Sequence, residues 1–169
     1  MPENIENIEN MSKQVLDACG DKGVMIATAE SCTGGMISAA LTAIPGSSSV
    51  IDRGFVTYTN AAKHEMLGVP NTLFDTVGAV SGEVACAMSE GALSHSQAQI
   101  SVSVTGIAGP GGGSADKPVG LVFIAVASVN GETRQERHVF SGDREAVRTQ
   151  TVTNALALVL KVLEYQSPS

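Results

Sequence analysis

The sequence predicts an α/β protein: a three-layer α/β/α sandwich around a mixed, mostly parallel sheet of about five strands. Two observations carry this. Helical and strand patterns interleave through the first half of the chain, and interleaving implies crossover connections between parallel strands. Further on, the apolar run Leu121-Val122-Phe123-Ile124-Ala125-Val126-Ala127 is followed by Asn130-Gly131, which adds an antiparallel hairpin to the sheet. The length, 169 residues, suits one domain with a sizeable core.

Taken in order, residues 1 to about 11 are polar and acidic and read as a flexible, frayed tail. Met11, Val15, Leu16 and Ala18 recur near helical spacing, and Gly20 and Gly23 end that helix. Val24-Met25-Ile26-Ala27 reads as a buried strand, and Met36 to Leu41 as a helix stopped by Pro45-Gly46-Ser47-Ser48-Ser49. Val50 to Tyr58 is rich in β-formers. Asn60 then suits an N-cap for a short helix over 61–67, closed by Gly68 and Pro70. A long polar loop follows. Ser81-Gly82-Glu83 opens a helix through Ala92, with Val84, Ala87, Met88 and Ala92 on one face. Gln99 to Thr105 alternates as a half-buried strand does. The Gly-dense stretch Gly106 to Ser114 leads to the apolar strand at Leu121. Asn130-Gly131 is a type I′ turn signal, because that turn needs positive φ at both central residues. The return strand is Thr133 to Phe140. Ser141-Gly142-Asp143-Arg144 caps a long helix to about Leu163, with Val147, Leu156, Val159, Leu160 and Leu163 turned to the core. The folded domain is expected to span 12–166.

Composition removes several function classes. The net charge is −7 and the few Lys and Arg residues are scattered, so no nucleic-acid footprint is expected. No run of 18 apolar residues occurs, so no membrane span is expected. The amino terminus lacks a basic start and an apolar stretch, which points to the cytoplasm. Cys19, Cys32 and Cys86 are odd in number and widely spaced, as free thiols in a reducing compartment would be. His64, His95 and His138 form no cluster with metal-ligand spacing, so no metal and no cofactor are expected.

In open α/β sheets, ligands bind beyond the carboxyl ends of the parallel strands. Three loops could meet there: Ser31 to Gly35, Tyr58 to Lys63, and Thr105 to Ser114. The first, within Thr28-Ala29-Glu30-Ser31-Cys32-Thr33-Gly34-Gly35, is a strand-to-helix turn that combines hydroxyl, thiol and free backbone N–H groups. It could equally be an ordinary capped connection. A serine nucleophile needs a base. None of the three histidines stands in a telling relation to an Asp. Lys63 lies just inside a helix, five residues after Tyr58, so both could overhang one cleft; a Lys serves as base when burial lowers its pKa. A solvated Lys63 and a core-edge Tyr58 are the plainer reading of that spacing. Ser114-Ala115-Asp116-Lys117 matches the S-x-x-K string of penicillin-recognising enzymes but lies in loop sequence rather than at a helix start. Neither a dinucleotide G-x-G-x-x-G nor a P-loop is present. The loop from Gly106 offers amides for an anion or planar ring, and Arg144 could pair with a phosphate.

Six stretches in one order carry a family resemblance: Thr28 to Gly35; Gly54-Phe55-Val56-Thr57-Tyr58 with Asn60 and Lys63; Gly78-Ala79-Val80-Ser81; Thr105-Gly106-Ile107-Ala108-Gly109-Pro110; Lys117-Pro118-Val119-Gly120; and Gly142-Asp143-Arg144. Together they resemble the CinA carboxy-terminal domain family, the nicotinamide-nucleotide amidohydrolases, over nearly the whole chain after the tail. The resemblance implies hydrolysis of the carboxamide of nicotinamide mononucleotide to nicotinic acid mononucleotide and ammonia, in pyridine nucleotide recycling. It implies no metal, a cytoplasmic location and a homodimer or higher homo-oligomer. By motif, Ser31 is implied as nucleophile, Lys63 as its base and Tyr58 as their partner. Glu30, Cys32, Thr33, Gly34, Gly35, Ser48, Thr105, Gly106, Gly109 and Arg144 are expected around the nucleotide. Amides from Cys32 to Gly34, at the start of the next helix, are expected to hold the oxyanion. Two other readings stay open here: Cys32 as the nucleophile, since thiols near helix N-termini can have lowered pKa values, and a non-catalytic nucleotide-binding or interaction module of the same fold.

Overall fold

The alternation read at residues 99–105 becomes the middle strand of the sheet. In the computed structural model, which describes residues 2–165, Ile100–Gly106 forms β3. Its neighbours are β1 (Ile26–Glu30) on one side and β4 (Leu121–Ser128) on the other. Outside these lie β2 (Ile51–Val56) and β5 (Arg134–Val139), giving the order β2-β1-β3-β4-β5. The pairings β1/β2 and β1/β3 are parallel, whereas β3/β4 and β4/β5 are antiparallel. The mixed, five-stranded α/β/α sandwich expected from sequence is therefore present. Its carboxyl edge gathers the ends of β1, β2 and β3.

One layer comprises α1 (Pro2–Lys22), α2 (Met36–Thr42) and α6 (Arg144–Glu164). It covers Ile26, Ile100, Val102, Val104, Val122, Ile124 and Val126, the larger of two buried apolar clusters. The other layer comprises α3 (Asn60–Leu67), α4 (Asn71–Thr76) and α5 (Gly82–Ser94). It covers Ala27 and Ala29 with Leu67, Val69, Val84, Met88 and Ala92. The polar face of β3 does not meet water. Ser101, Ser103 and Thr105 are buried and donate to the carbonyls of Ser89, Ala85 and Ala79 respectively. These bonds satisfy hydroxyls that would otherwise be costly to bury, and they let α5, rich in Gly and Ala, lie close against the sheet.

Several local expectations are corrected. The frayed tail over 1–11 is instead helix from Pro2 onward, with Met1 outside the described residues. Ile8 and Met11 pack against the main core, and Glu9 pairs with Lys13 at 3.0 Å one turn on. Tertiary burial of that stripe stabilises a segment whose Asn and Glu residues look tail-like. The proposed domain end at 166 also lies outside the described residues. β1 starts later than Val24 and runs to Glu30. The polar loop after Pro70 contains α4, held by half-buried Leu73 and Phe74. Thr59, rather than Asn60, caps α3, its hydroxyl accepting from the Ala62 amide at 3.0 Å. The β4–β5 hairpin exists, but neither Asn130 nor Gly131 adopts positive φ. Five residues separate the two strands, so a longer turn removes the need for the type I′ geometry.

Candidate active site

Where β1 ends, Ser31 is clamped between its neighbours. Its amide donates to Val104 O of β3 at 3.1 Å, and the Thr57 amide after β2 donates to Glu30 O at 2.9 Å. The Ser31 side chain is thus fixed at the carboxyl edge. Capping by Thr59 starts α3 at once, and Lys63 falls on its inward face with only 2% of its surface exposed. Its ammonium nitrogen donates to Ser31 Oγ at 3.0 Å, to Thr57 O at 3.1 Å and to Tyr58 O at 3.3 Å. Burial pushes the Lys63 pKa below its ordinary 10.5, because a charge is costly away from water. A neutral amine has two N–H bonds and one lone pair. With both N–H groups held by the Thr57 and Tyr58 carbonyls, the lone pair faces Ser31 Oγ. The arrangement can take a proton from that hydroxyl.

Tyr58 enters differently from the expectation. Its backbone carbonyl meets Lys63, while its side chain is 60% exposed and its hydroxyl accepts from Arg144 Nη2 at 3.1 Å. Arg144 also donates to Gly109 O at 2.7 Å, so one side chain of α6 joins two walls of the cleft. Thr105 and Gly106 stand at the end of β3. Thr105 is spent on Ala79 O. At Gly106 a Cβ would lie 2.8 Å from Leu121 O, so only Gly allows this approach of β3 to β4. Lys117, beyond the Gly-rich stretch, reaches back to Val77 O and ties that stretch to the loop before α5.

These walls border an open cavity of about 280 Å³, just below the usual size range of ligand clefts. Ser31, Cys32, Tyr58, Lys63, Thr105, Gly106, Gly109 and Arg144 all line it. Asn60, Val80 and Ala108, which lie within the quoted motifs, and Gly111 of the Gly-rich loop also line it, though none of the four was expected individually as a binding residue.

Glu30, Thr33, Gly34 and Gly35 lie behind the cleft. The fully buried Glu30 carboxylate accepts from Thr33 Oγ1 at 2.6 Å and from the first free amides of α2, Ile37 at 2.8 Å and Ser38 at 3.0 Å. The Gly34 amide donates to Ser31 O at 3.1 Å. Neither Gly34 nor the helix start is therefore open to an oxyanion, contrary to expectation, because a carboxylate of the chain already caps that positive helix end. Ser48 is corrected as well. It is exposed in a 3₁₀ turn (Ser47–Ser49) that feeds the amino end of β2, at the edge of the sheet opposite Ser31.

Cys32 borders the cavity, but burial pushes its thiol up to about 11, so it is no thiolate near neutrality. The three histidines hold backbone or side-chain partners away from Ser31: His64 with Val69 O, His95 with Gly91 O, His138 with Glu136. Among the described residues, no group of three or more His, Cys, Asp or Glu could hold a metal ion, and no helix is long and apolar enough to cross a membrane.

Fold and cleft together define an α/β/α protein with a hydroxyl–amine pair at the carboxyl edge of its parallel strands. The chain belongs to the CinA C-terminal domain family, whose model matches residues 8–163. It is 47% identical to the nicotinamide-nucleotide amidohydrolase PncC of Enterobacter agglomerans, over 92% of this chain and 95% of that one. It is 53% identical to the protein of the same name from Pseudomonas putida, over 81% of this chain and 85% of the relative. The crystal structure of competence/damage inducible protein CihA from Agrobacterium tumefaciens superposes with a TM-score of 0.90 at 49% identity, covering 94% of this chain and 96% of that one.

Proposed function

We propose that this chain is a nicotinamide-nucleotide amidohydrolase, which hydrolyses the carboxamide of nicotinamide mononucleotide to nicotinic acid mononucleotide and ammonia. The names of its relatives support the substrate. One observation supports the chemistry above all others: a buried Lys63 amine 3.0 Å from Ser31 Oγ at the edge of the cleft. Lys63 takes the Ser31 proton as Oγ attacks the amide carbon. The tetrahedral intermediate collapses with transfer of that proton to the departing nitrogen, which leaves as ammonia. Water then attacks the ester on Ser31, Lys63 accepting its proton and passing it to Ser31 Oγ as the acyl C–Oγ bond breaks, and the acid leaves as its carboxylate with a proton lost to solvent. Of the turn residues after Ser31, Cys32 borders the cavity, and its amide is the donor proposed for the oxyanion. A cytoplasmic, self-associating enzyme in pyridine nucleotide recycling belongs to the same proposal and rests on the family.

The test is ammonia release from a panel of carboxamide nucleotides, with calorimetry alongside. Nucleotide binding with ammonia at background would favour a binding module of the same fold.

Two outcomes follow from the geometry. Since the base is neutral Lys63, kcat/KM should rise with pH through the depressed lysine pKa and fall away below it; a pH–rate profile with no ascending limb anywhere below 10.5 would contradict the role. The same depression links to stability. The folded chain holds this proton less tightly than the unfolded one, so stability should rise with pH from the depressed value towards 10.5. Lys63→Met should lose that slope.

Arg144 is the cation at the cleft mouth besides Lys63, and a phosphate can replace Tyr58 and Gly109 as its partner. Arg144→Ala should raise KM for the mononucleotide roughly 10- to 100-fold, and KM for the riboside far less. Equal losses on both would exclude a phosphate contact.

A further inference from the structure

Four residues after Arg144, and so on the same side of α6, stands Arg148. It is half-buried, and among the described residues no carboxylate lies within ion-pair distance of it. Its guanidinium grips backbone instead. Nε donates to Cys32 O at 3.1 Å and Nη2 donates to Thr33 O at 3.1 Å. These are the carbonyls of the two residues that follow Ser31. The fork of Arg suits two adjacent acceptors in a way that Lys cannot match.

We propose that Arg148 is a positioning residue for the reaction: from α6 it fixes the peptide units after Ser31, and through them the nucleophile and the Cys32 amide beside it. The inference rests on the Ser31–Lys63 reading above. A trans peptide directs its C=O and N–H oppositely, so binding Cys32 O at α6 turns the Thr33 amide away from that helix. Thr33 O is shared between Arg148 and the Met36 amide, at 3.1 Å from each, which couples the hold to the start of α2. Glu30 grips the same turn at the Thr33 hydroxyl and at the Ile37 and Ser38 amides. The turn is therefore held by a carboxylate at its side chain and helix, and by a guanidinium at its carbonyls. Gly34 suits this turn through its backbone: its φ of +59° is one that L side chains rarely adopt, while a Cβ there would only touch Arg148 Nη2 at 3.6 Å. Arg148 touches no reacting atom and does not border the cavity.

The experiment uses the full chain with Arg148→Met, Arg148→Lys and Arg148→Ala. Three quantities are read: thermal midpoint, kcat and KM on nicotinamide mononucleotide, and the rate at which a fluorophosphonate probe labels Ser31, followed by intact mass with Ser31→Ala as control. The expected result is a loss of about 100-fold in kcat and in labelling rate, with KM within threefold of the parent. Arg148→Lys should recover a part of this, and millimolar guanidinium should restore Arg148→Ala. The proposal is overturned if kcat and labelling stay within threefold of the parent. It is also overturned if the whole loss lies in KM, or if activity merely tracks the unfolded fraction without rescue by guanidinium. Because labelling needs no nucleotide, it separates the two readings. Arg148-dependent labelling without ammonia release would sink the amidohydrolase and keep the positioning role; ammonia release indifferent to Arg148 would do the reverse.

Discussion

Ser31→Ala should abolish ammonia release, lowering kcat on the order of 10⁴- to 10⁶-fold. Lys63→Met should come close to the same floor, since a hydroxyl without its base is a poor nucleophile. The two act as one unit, joined at 3.0 Å, so the double variant should be scarcely worse than either alone. That non-additivity is the sharper measurement. Independent contributions would multiply, and a double variant far below both singles would exclude a shared step. Ser31→Ala should also keep its thermal midpoint close to the parent, for the lost hydroxyl leaves the backbone clamp at Val104 O untouched. Cys32→Ser offers the contrast: with its thiol pushed up to about 11, it should retain activity and resist the inference that the thiol attacks.

A large stability effect is expected at a glycine outside the cleft. Gly91 lies in α5 against the last residue of α3, and a Cβ on it would sit 2.0 Å from Leu67 O and 2.9 Å from Leu67 C. The obstacle is backbone, which cannot rotate aside. Gly91→Ala gains about 1 kcal/mol of helix propensity, but overpacking against a fixed carbonyl costs about 3 kcal/mol or more. A net loss of roughly 2 kcal/mol or more in unfolding free energy should appear in denaturant titration. The same push moves α3. Leu67 is one turn after Lys63 and shares its buried face, so retreat of α3 withdraws the amine from Ser31. Activity should fall by tenfold or more in the folded fraction, since such misplacements are costly to rate. A variant as stable and active as its parent would show that α3 does not depend on this contact.

Much of the layout was legible because it is periodic. Interleaved helix and strand patterns gave the layers, and the apolar run at 121–127 gave β4. The strand-to-helix turns after β1 and β2 pointed to Ser31, Tyr58 and Lys63 as neighbours at one edge, and the cap at Asp143 pointed to Arg144. The misses share a cause. Amphipathic residues in α1 look like a tail until α6 covers them. Ser48 precedes β2 and so stands at the amino end of that strand, away from the carboxyl edge, which its expected binding role overlooked. Glu30 seemed a binding residue because it sits in the motif, yet it is consumed in capping α2. Arg148 could have been found from its i+4 relation to Arg144, but nothing local says that its partners are carbonyls more than a hundred residues earlier.

The sequence by itself determined most of the helix and strand segments, though not the start of α1 or α4, and which residue types crowd the turns, because those follow from local spacing, capping and backbone preference. Only the tertiary structure decided what those residues do. Ser31 and Lys63 are 32 positions apart, and their meeting depends on β1 and β2 lying parallel with α3 folded back over them. The depressed pKa of Lys63 comes from burial, Tyr58 contributes a carbonyl where its phenol was expected, and the α2 amides are closed by Glu30. Desolvation, acceptor geometry and the direction of a peptide plane are properties of packed neighbours, and a chain acquires them only when distant segments come together.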